Sequence, residues 1–290
     1  MSKKHQMIGL GTAQFGMNYG VANTSGRTPD NEAFEILDYA KKLKINTLDT
    51  AKAYGESEDV LGKYFLNANE KGWNVVTKVS SNYGNVVNQI EQSYKKITKY
   101  PNAVLAHSKK DYLNEEFFHQ LISLKEKKNI KMIGVSIYDY KDIEETLSFH
   151  KPDIIQIPLN ILDTRLFWDG TLNDLISNDI IIHIRSVFLQ GLFYLSERQI
   201  KKKFPDVFNP MNQLKIIANK AGITISELSL LWVSSLNFNG KIIIGVDSLD
   251  QLKKHERTLS TSVKKEIFEE ALSIKYKNIN ILNPSLWKTK

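Results

Sequence analysis

Asn46-Thr-Leu-Asp49, Val75-Val-Thr-Lys78, Ala103-Val-Leu-Ala-His107 and Met132-Ile-Gly-Val-Ser136 are four short apolar runs, each closing on a residue able to handle a proton or a polar ligand. Asp49, Lys78, His107 and Ser136 stand 29 residues apart, each from the next. A strand, a helix and two short loops consume roughly 30 residues. The spacing therefore predicts side chains gathered at one rim of a parallel barrel, where barrel enzymes carry their chemistry. Tyr54 follows closely, in Asp49-Thr-Ala-Lys-Ala-Tyr54-Gly55.

The alternation extends along the chain. Strands are expected at Met7 to Gly11, Asp153 to Pro158, Ile180 to Ser186 and Lys241 to Gly245, in addition to the four above. Helices are expected at Asp30 to Leu43 with Asp30 as N-cap, from Ser57 with Ser57 as cap, and at Val86 to Thr98, Asn114 to Lys128 and Tyr140 to Phe149. Later ones are expected at Pro210 to Ala221, Ser226 to Leu236 and near Val263 to Ser273. Near-continuous Ile/Val runs fit a parallel sheet buried on both faces. The fold class is α/β, a single-domain (β/α)8 TIM barrel spanning residues 1–290. A doubly wound sheet is the competitor, but Gly9-Leu-Gly11-Thr-Ala-Gln14 does not complete the G-x-G-x-x-G phosphate loop such a sheet carries.

Composition narrows the function. The 290 residues contain no cysteine, which excludes disulfides, thiolate catalysis and zinc–sulfur sites. No apolar run approaches the roughly 18 residues of a membrane span, so a soluble cytoplasmic protein is expected, a monomer or weak homo-oligomer without membrane or nucleic-acid partners. The net charge of +7 sits in lysine runs such as Lys125 to Lys128 and Lys201 to Lys203, read as solvated surface. The remaining histidines (His5, His119, His150, His183) show no metal-ligand spacing, and His183 reads as structural. No metal site is expected.

Tyr, Lys, Asp and His together suit one kind of chemistry. An ammonium beside a phenol favours the phenolate and lowers its pKa. A carboxylate keeps the ammonium charged, and an imidazole can orient a carbonyl oxygen or pass a proton. Such a general acid, aimed at an oxygen that gains charge, suits carbonyl reduction with a hydride from a cofactor. Singly, Asp49 reads as a cap, His107 as a core histidine and Tyr54 as packing; their joint occurrence favours the site.

Leu48-Asp-Thr-Ala-Lys-Ala-Tyr-Gly-Glu-Ser-Glu58 resembles the D-T-A-x-x-Y-G-x-S-E signature of the aldo-keto reductases. The resemblance continues through Thr77-Lys78, His107, Ile133 to Ser136, Ile155 to Asn160 and Arg185-Ser-Val-Phe-Leu-Gln-Gly-Leu192. It implies a barrel using NADPH, or NADH, on a small-molecule carbonyl substrate, with a tetrad of Asp49, Tyr54, Lys78 and His107 and Tyr54 as general acid. It also implies that Ser136 and Gln156 hold the nicotinamide carboxamide. Arg185 stands where the family stacks an aromatic on the ring, and it would either stack there or turn to a substrate carboxylate or phosphate; Ser186, Gln190, Gly191 and Leu192 would lie along the pyrophosphate. Gly245, Ser248, Gln251 and His255 would surround the adenosine end.

Three positions depart from the family pattern. Ile137 replaces an Asn after Ser136, Arg185 replaces a stacking aromatic, and Gln251, with Asp247 and Asp250 nearby, replaces cations that grip a 2′-phosphate. The last weakens the expected preference for NADPH over NADH. The opening Gly11-Thr-Ala-Gln-Phe-Gly-Met-Asn-Tyr-Gly20 is similar to members associated with bacterial surface-polysaccharide loci, which points to a keto-sugar or sugar-nucleotide substrate. The alternatives are a non-catalytic NADP(H)-binding redox-sensing subunit and a metal-dependent barrel hydrolase. The segment from Phe193 to Asn209 reads equally as a lid or as a surface excursion packed by its own aromatics.

Overall fold

A computed structural model describes residues 3–68, 72–127 and 129–287; Lys128, placed above in a helix and a lysine run, lies outside them. Eight parallel strands, β1 (Ile8–Gly11), β2 (Thr47–Asp49), β3 (Asn74–Val79), β4 (Ala103–Ala106), β5 (Met132–Ser136), β6 (Ile154–Pro158), β7 (Ile181–Arg185) and β8 (Gly240–Gly245), close into a barrel in sequence order. Closure comes from β1 pairing with β8 through Ile8↔Ile242 to Gly11↔Gly245.

Strand parity explains why the polar residues converge. Side chains alternate between the two faces of a strand, so Val76 and Lys78, Gly134 and Ser136, Ile154 and Gln156, and His183 and Arg185 each share a face. That face is the barrel interior, because Gln156 on β6 donates to Asp49 on β2 across the lumen. The inner layer below the polar rim is apolar: Val76, Ala103, Leu105 and Ile154, with Met132 and Ile181 against them, form their own cluster. The outward residues, such as Val75, Val104, Ile155, Ile182 and Ile184, join the larger core beneath the surrounding helices.

Helix Tyr140–Phe149 has the bounds its pattern predicts, and most other helices differ only at their ends. Two expected caps do not form. Helix Asp30–Lys42 starts on Pro29, and Asp30 instead receives Arg27 and Lys63. Helix Ser57–Ala68 begins at Ser57, whose hydroxyl is held by Thr12 and Thr50 and caps nothing. Among the described residues eight α-helices had no expected counterpart: Lys3–Gln6, Ala13–Gly16, Lys109–Tyr112, Arg165–Trp168, Thr171–Ser177, Glu197–Lys203, Leu249–Leu259 and Ile279–Leu282. Among the described residues, no single helix is long and apolar enough to cross a membrane.

Two histidines are carried inside this frame. His183 on β7 and His255 on helix Leu249–Leu259 are buried, and one ring nitrogen of each has no partner. Burial, the largest cause in both, lowers their pKa from 6.5 to about 4. Between those values the unfolded chain binds protons that the folded chain refuses, so stability rises with pH across this window. The stabilisation is complete above about pH 6.5 and lost as pH falls toward 4, up to about 3 kcal/mol per histidine. Denaturant titrations at pH 7 and pH 5 should show the loss, and it should shrink when His183 is replaced by Asn. A flat profile would refute it.

Candidate active site

Asp49, Lys78 and Gln156 reach the C-terminal rim of the barrel on β2, β3 and β6, and His107 follows the end of β4. The Lys78 ammonium makes three contacts: Asp49 Oδ1 at 2.5 Å, the Thr50 carbonyl at 3.1 Å and the Tyr54 hydroxyl at 3.4 Å. An ammonium has three donors, so its set is complete. The second oxygen of Asp49 accepts from Gln156 Nε2 at 2.8 Å. Both Lys78 and Asp49 are buried. Because the Tyr54 oxygen accepts from Lys78, its own O–H is free for another acceptor. The His107 ring meets the Tyr54 ring edge-on, 6.3 Å between centroids at 82°.

Tyr54 does not leave its strand end by chance. Its loop rests on Gly16, where a Cβ would lie 1.8 Å from the Tyr54 carbonyl oxygen, and the Glu56 amide donates to the Gly16 carbonyl at 3.2 Å. Only glycine permits that approach.

Burial and then the Asp49 charge push the Tyr54 phenol above its ordinary value, while the Arg185 charge pulls it down. The expected lowering by Lys78 is thus overturned: in the resting protein desolvation of a phenolate outweighs nearby cations, and Tyr54 keeps its proton. Burial likewise lowers Lys78 against the opposing pull of Asp49. His107 falls to about 4, first through burial and then through Lys78 and Arg185, so it is neutral at pH 7.

These groups open onto a cavity of about 530 Å³, a size suited to small molecules and cofactors. Along one wall Ser136 donates to Gln156 at 3.4 Å. After β7, Ser186, Leu189 and Gln190 have φ of 60°, 45° and 50°, followed by Gly191 at 90°. Non-glycine residues rarely adopt this region, and such runs turn backbone amides toward anions. Gly245 ends β8 beneath Gln14, whose amide would lie 2.5 Å from a Cβ there. The far end of the cavity is lined by Asn23, Asp247 and Gln251.

The model of the aldo/keto reductase family matches residues 7–274. The chain belongs to the aldo/keto reductase family. No curated protein is significantly similar to it in sequence. Among solved structures, an aldo-keto reductase from Bacillus halodurans in its holo form superposes with a TM-score of 0.74 at 19% identity, covering 93% of this chain and 92% of that one. A glycerol dehydrogenase from Gluconobacter oxydans gives 0.72 at 18%, covering 96% and 92%. An aldo-keto reductase from Klebsiella pneumoniae, solved with NADPH, gives 0.70 at 18%, covering 96% and 94%. At these identities the likeness is one of fold.

In this aldo-keto reductase three residues assigned to the cofactor lie away from the cavity wall. Leu192 is wholly buried in the core. Ser248 caps helix Leu249–Leu259 by accepting from the Gln251 amide. His255 is buried and stacked on Phe188, with centroids 4.7 Å apart at 15°. Gln251 reaches the cavity but spends its amide on Asp247, accepting from the backbone and donating to the carboxylate.

Sequence reasoning missed the loop after β1 as a wall of the site. Gln14, Tyr19 and Asn23 line the cavity, and the loop is tied down by Val21 N donating to Gln190 O at 3.0 Å and Asn23 Nδ2 donating to Asp247 at 3.2 Å. The signal was the Gly/Gln/Asn-rich run Gly11 to Gly20. Residues 193–209 run from the turn ending at Tyr194 through helix Glu197–Lys203 and a short turn at Pro205–Val207 into helix Phe208–Lys220, with Phe193 and Phe204 buried; of their side chains, Tyr194 lines the cavity. Lys201 to Lys203 are exposed. Among the described residues no cluster of three or more His, Asp or Glu could hold a metal ion.

Proposed function

We propose that the chain is an NADPH-dependent carbonyl reductase, with NADH as a secondary donor, and that Tyr54 is its general acid. The observation that carries this reading is the Tyr54 hydroxyl, held 3.4 Å from an ammonium that Asp49 fixes, at the edge of the cavity. A dinucleotide held along this cavity would supply the hydride. Tyr54 gives its proton to the carbonyl oxygen as charge develops there, and Lys78 stabilises the tyrosinate left behind. Asp49 keeps Lys78 charged and in place. Neutral His107 donates a hydrogen bond that orients the carbonyl.

The residues present fit a dinucleotide. Ser136 and Gln156 offer polar atoms to a carboxamide, the left-handed run through Ser186, Gln190 and Gly191 offers amides to a pyrophosphate, and Gly245 and Gln251 border the other end. Among the described residues no cation lines that end beside Asp247, since Lys253 and Lys254 face Asp250 and Glu227. NADH is therefore expected to compete within about tenfold of NADPH.

A second cleft of about 360 Å³ shares His107 with the first and is lined by Ser80, Ser81, Asn82, Ser108, Lys110 and Asp111. Its hydroxyls and amides suit a polyhydroxylated carbonyl, and a keto-sugar or sugar nucleotide is the substrate class we favour. Titration with NADPH and NADH, followed by a panel of aldehydes, ketoses and keto-sugar nucleotides, tests the reading. Turnover of at least one carbonyl is expected; tight NADPH binding with none turned over would favour a redox-sensing subunit instead.

A further inference from the structure

Arg185 ends β7 on the inner face, half-buried, and lines the cavity together with Tyr54, Lys78 and His107. Its guanidinium carbon lies over the Tyr138 ring, 4.1 Å from the centroid. Three of its N–H groups are occupied by neutral oxygens: Nε donates to Ser136 Oγ at 3.3 Å, Nη1 to Ser186 Oγ at 3.0 Å and Nη2 to the Ile137 carbonyl at 3.1 Å. A guanidinium has five, so two remain. No carboxylate among the described residues pairs with it. By contrast, Arg165 is clasped by Asp163 at 2.7 and 2.9 Å.

The acids that line the cavity are committed elsewhere. Asp49 is consumed by Lys78 and Gln156, and Asp247 by Asn23 and Gln251. The Asp49–Lys78 pair is neutral as a unit, so the reacting end carries one uncompensated positive charge. A cation left without a counter-charge in a partly desolvated cleft is costly unless an anion arrives. The cation–π contact with Tyr138 and three hydrogen bonds fix the fork in advance, so little side-chain entropy is lost when an oxyanion binds.

We infer that Arg185 is a specificity-determining anchor, and that the carbonyl compound reduced at this site carries an oxyanion, a carboxylate or a phosphate, which the guanidinium holds while the carbonyl oxygen faces Tyr54. This rests on the reductase reading above, and it adds the charge class of the substrate. Its chemistry is charge-assisted hydrogen bonding; no bond is made or broken at Arg185.

The test uses the full chain saturated with NADPH. Turnover is compared for two matched pairs, succinic semialdehyde against butyraldehyde and glyceraldehyde 3-phosphate against glyceraldehyde, which separates a carboxylate from a phosphate. At least one anionic member should exceed its neutral partner by tenfold or more in kcat/KM, mainly through KM. Arg185→Gln should bring that ratio near one, and Arg185→Lys should restore part of it. In parallel, calorimetry with succinate and with inorganic phosphate should show binding to the NADPH complex that Arg185→Gln weakens at least tenfold. Equal kcat/KM within both pairs, or a Gln variant that weakens NADPH while leaving the anion-to-neutral ratio intact, would overturn the anchor. If no aldehyde turns over yet anion binding depends on Arg185, the anchor stands and the reductase reading fails.

Discussion

Replacing Tyr54 by Phe is expected to lower kcat by about 100- to 10,000-fold, the range that positioned general acids contribute, while the dissociation constant for NADPH stays within about twofold. The change deletes one hydroxyl and leaves the ring, its edge contact with His107 and the Gly16 seat of the loop in place. What disappears is the proton that must reach the carbonyl oxygen. Lys78 cannot deliver it instead, because its three donors are directed at Asp49, Thr50 and the position of the missing hydroxyl. Single-turnover kinetics with a pre-bound nucleotide isolate the chemical step. A variant within tenfold of the parent would remove Tyr54 from the role.

Replacing Asp49 by Asn is expected to cost about 3–5 kcal/mol of folding stability, the usual penalty for stranding a buried charge. Lys78 and Asp49 side chains are only 1% and 4% exposed, so water cannot substitute for the lost carboxylate. The Lys78 ammonium already sits below its ordinary pKa through burial, and without Asp49 it would shed its proton. Catalysis should collapse for the same reason, since a neutral amine does little for a developing tyrosinate. The double variant Asp49→Asn with Lys78→Met should recover much of the stability and none of the activity, because the uncompensated charge is gone. Denaturant titration of the parent, Asp49→Asn, Lys78→Met and the double variant provides the cycle; a loss below about 1 kcal/mol in Asp49→Asn would mean the ammonium is solvated after all.

Much of this was legible in the chain because strand parity and an even spacing are linear properties. They place Asp49, Lys78, Ser136, Gln156 and Arg185 on one face at one rim. What failed was whatever depends on contacts distant in sequence. Ser57 looks like a cap until Thr12, 45 residues earlier, takes its hydroxyl. Gly16 looks like any loop glycine until the Tyr54 backbone lands on it. Leu192, Ser248 and His255 were assigned to the cofactor by belonging to matching runs, but residues within a run face different ways, and those three point into core and cap. The direction of the Tyr54 pKa was misjudged because a motif shows which charges are near and not how dry the pocket is.

The even spacing that builds the barrel also orders how its parts can come into being. Each strand from β1 to β7 pairs with the next, so Asp49, Lys78 and His107 belong to three neighbouring strand units and need only short loop closures to meet. The dinucleotide end is different: Gln14 over Gly245, and Asn23 on Asp247 across 224 residues, exist only once β1 has found β8. Contacts so far apart in sequence are slow to form and late to be rewarded. An incompletely closed barrel would hold the acid and its supports with nowhere to seat the hydride donor, and the nucleotide, binding only the closed form, would act as the clasp that favours closure.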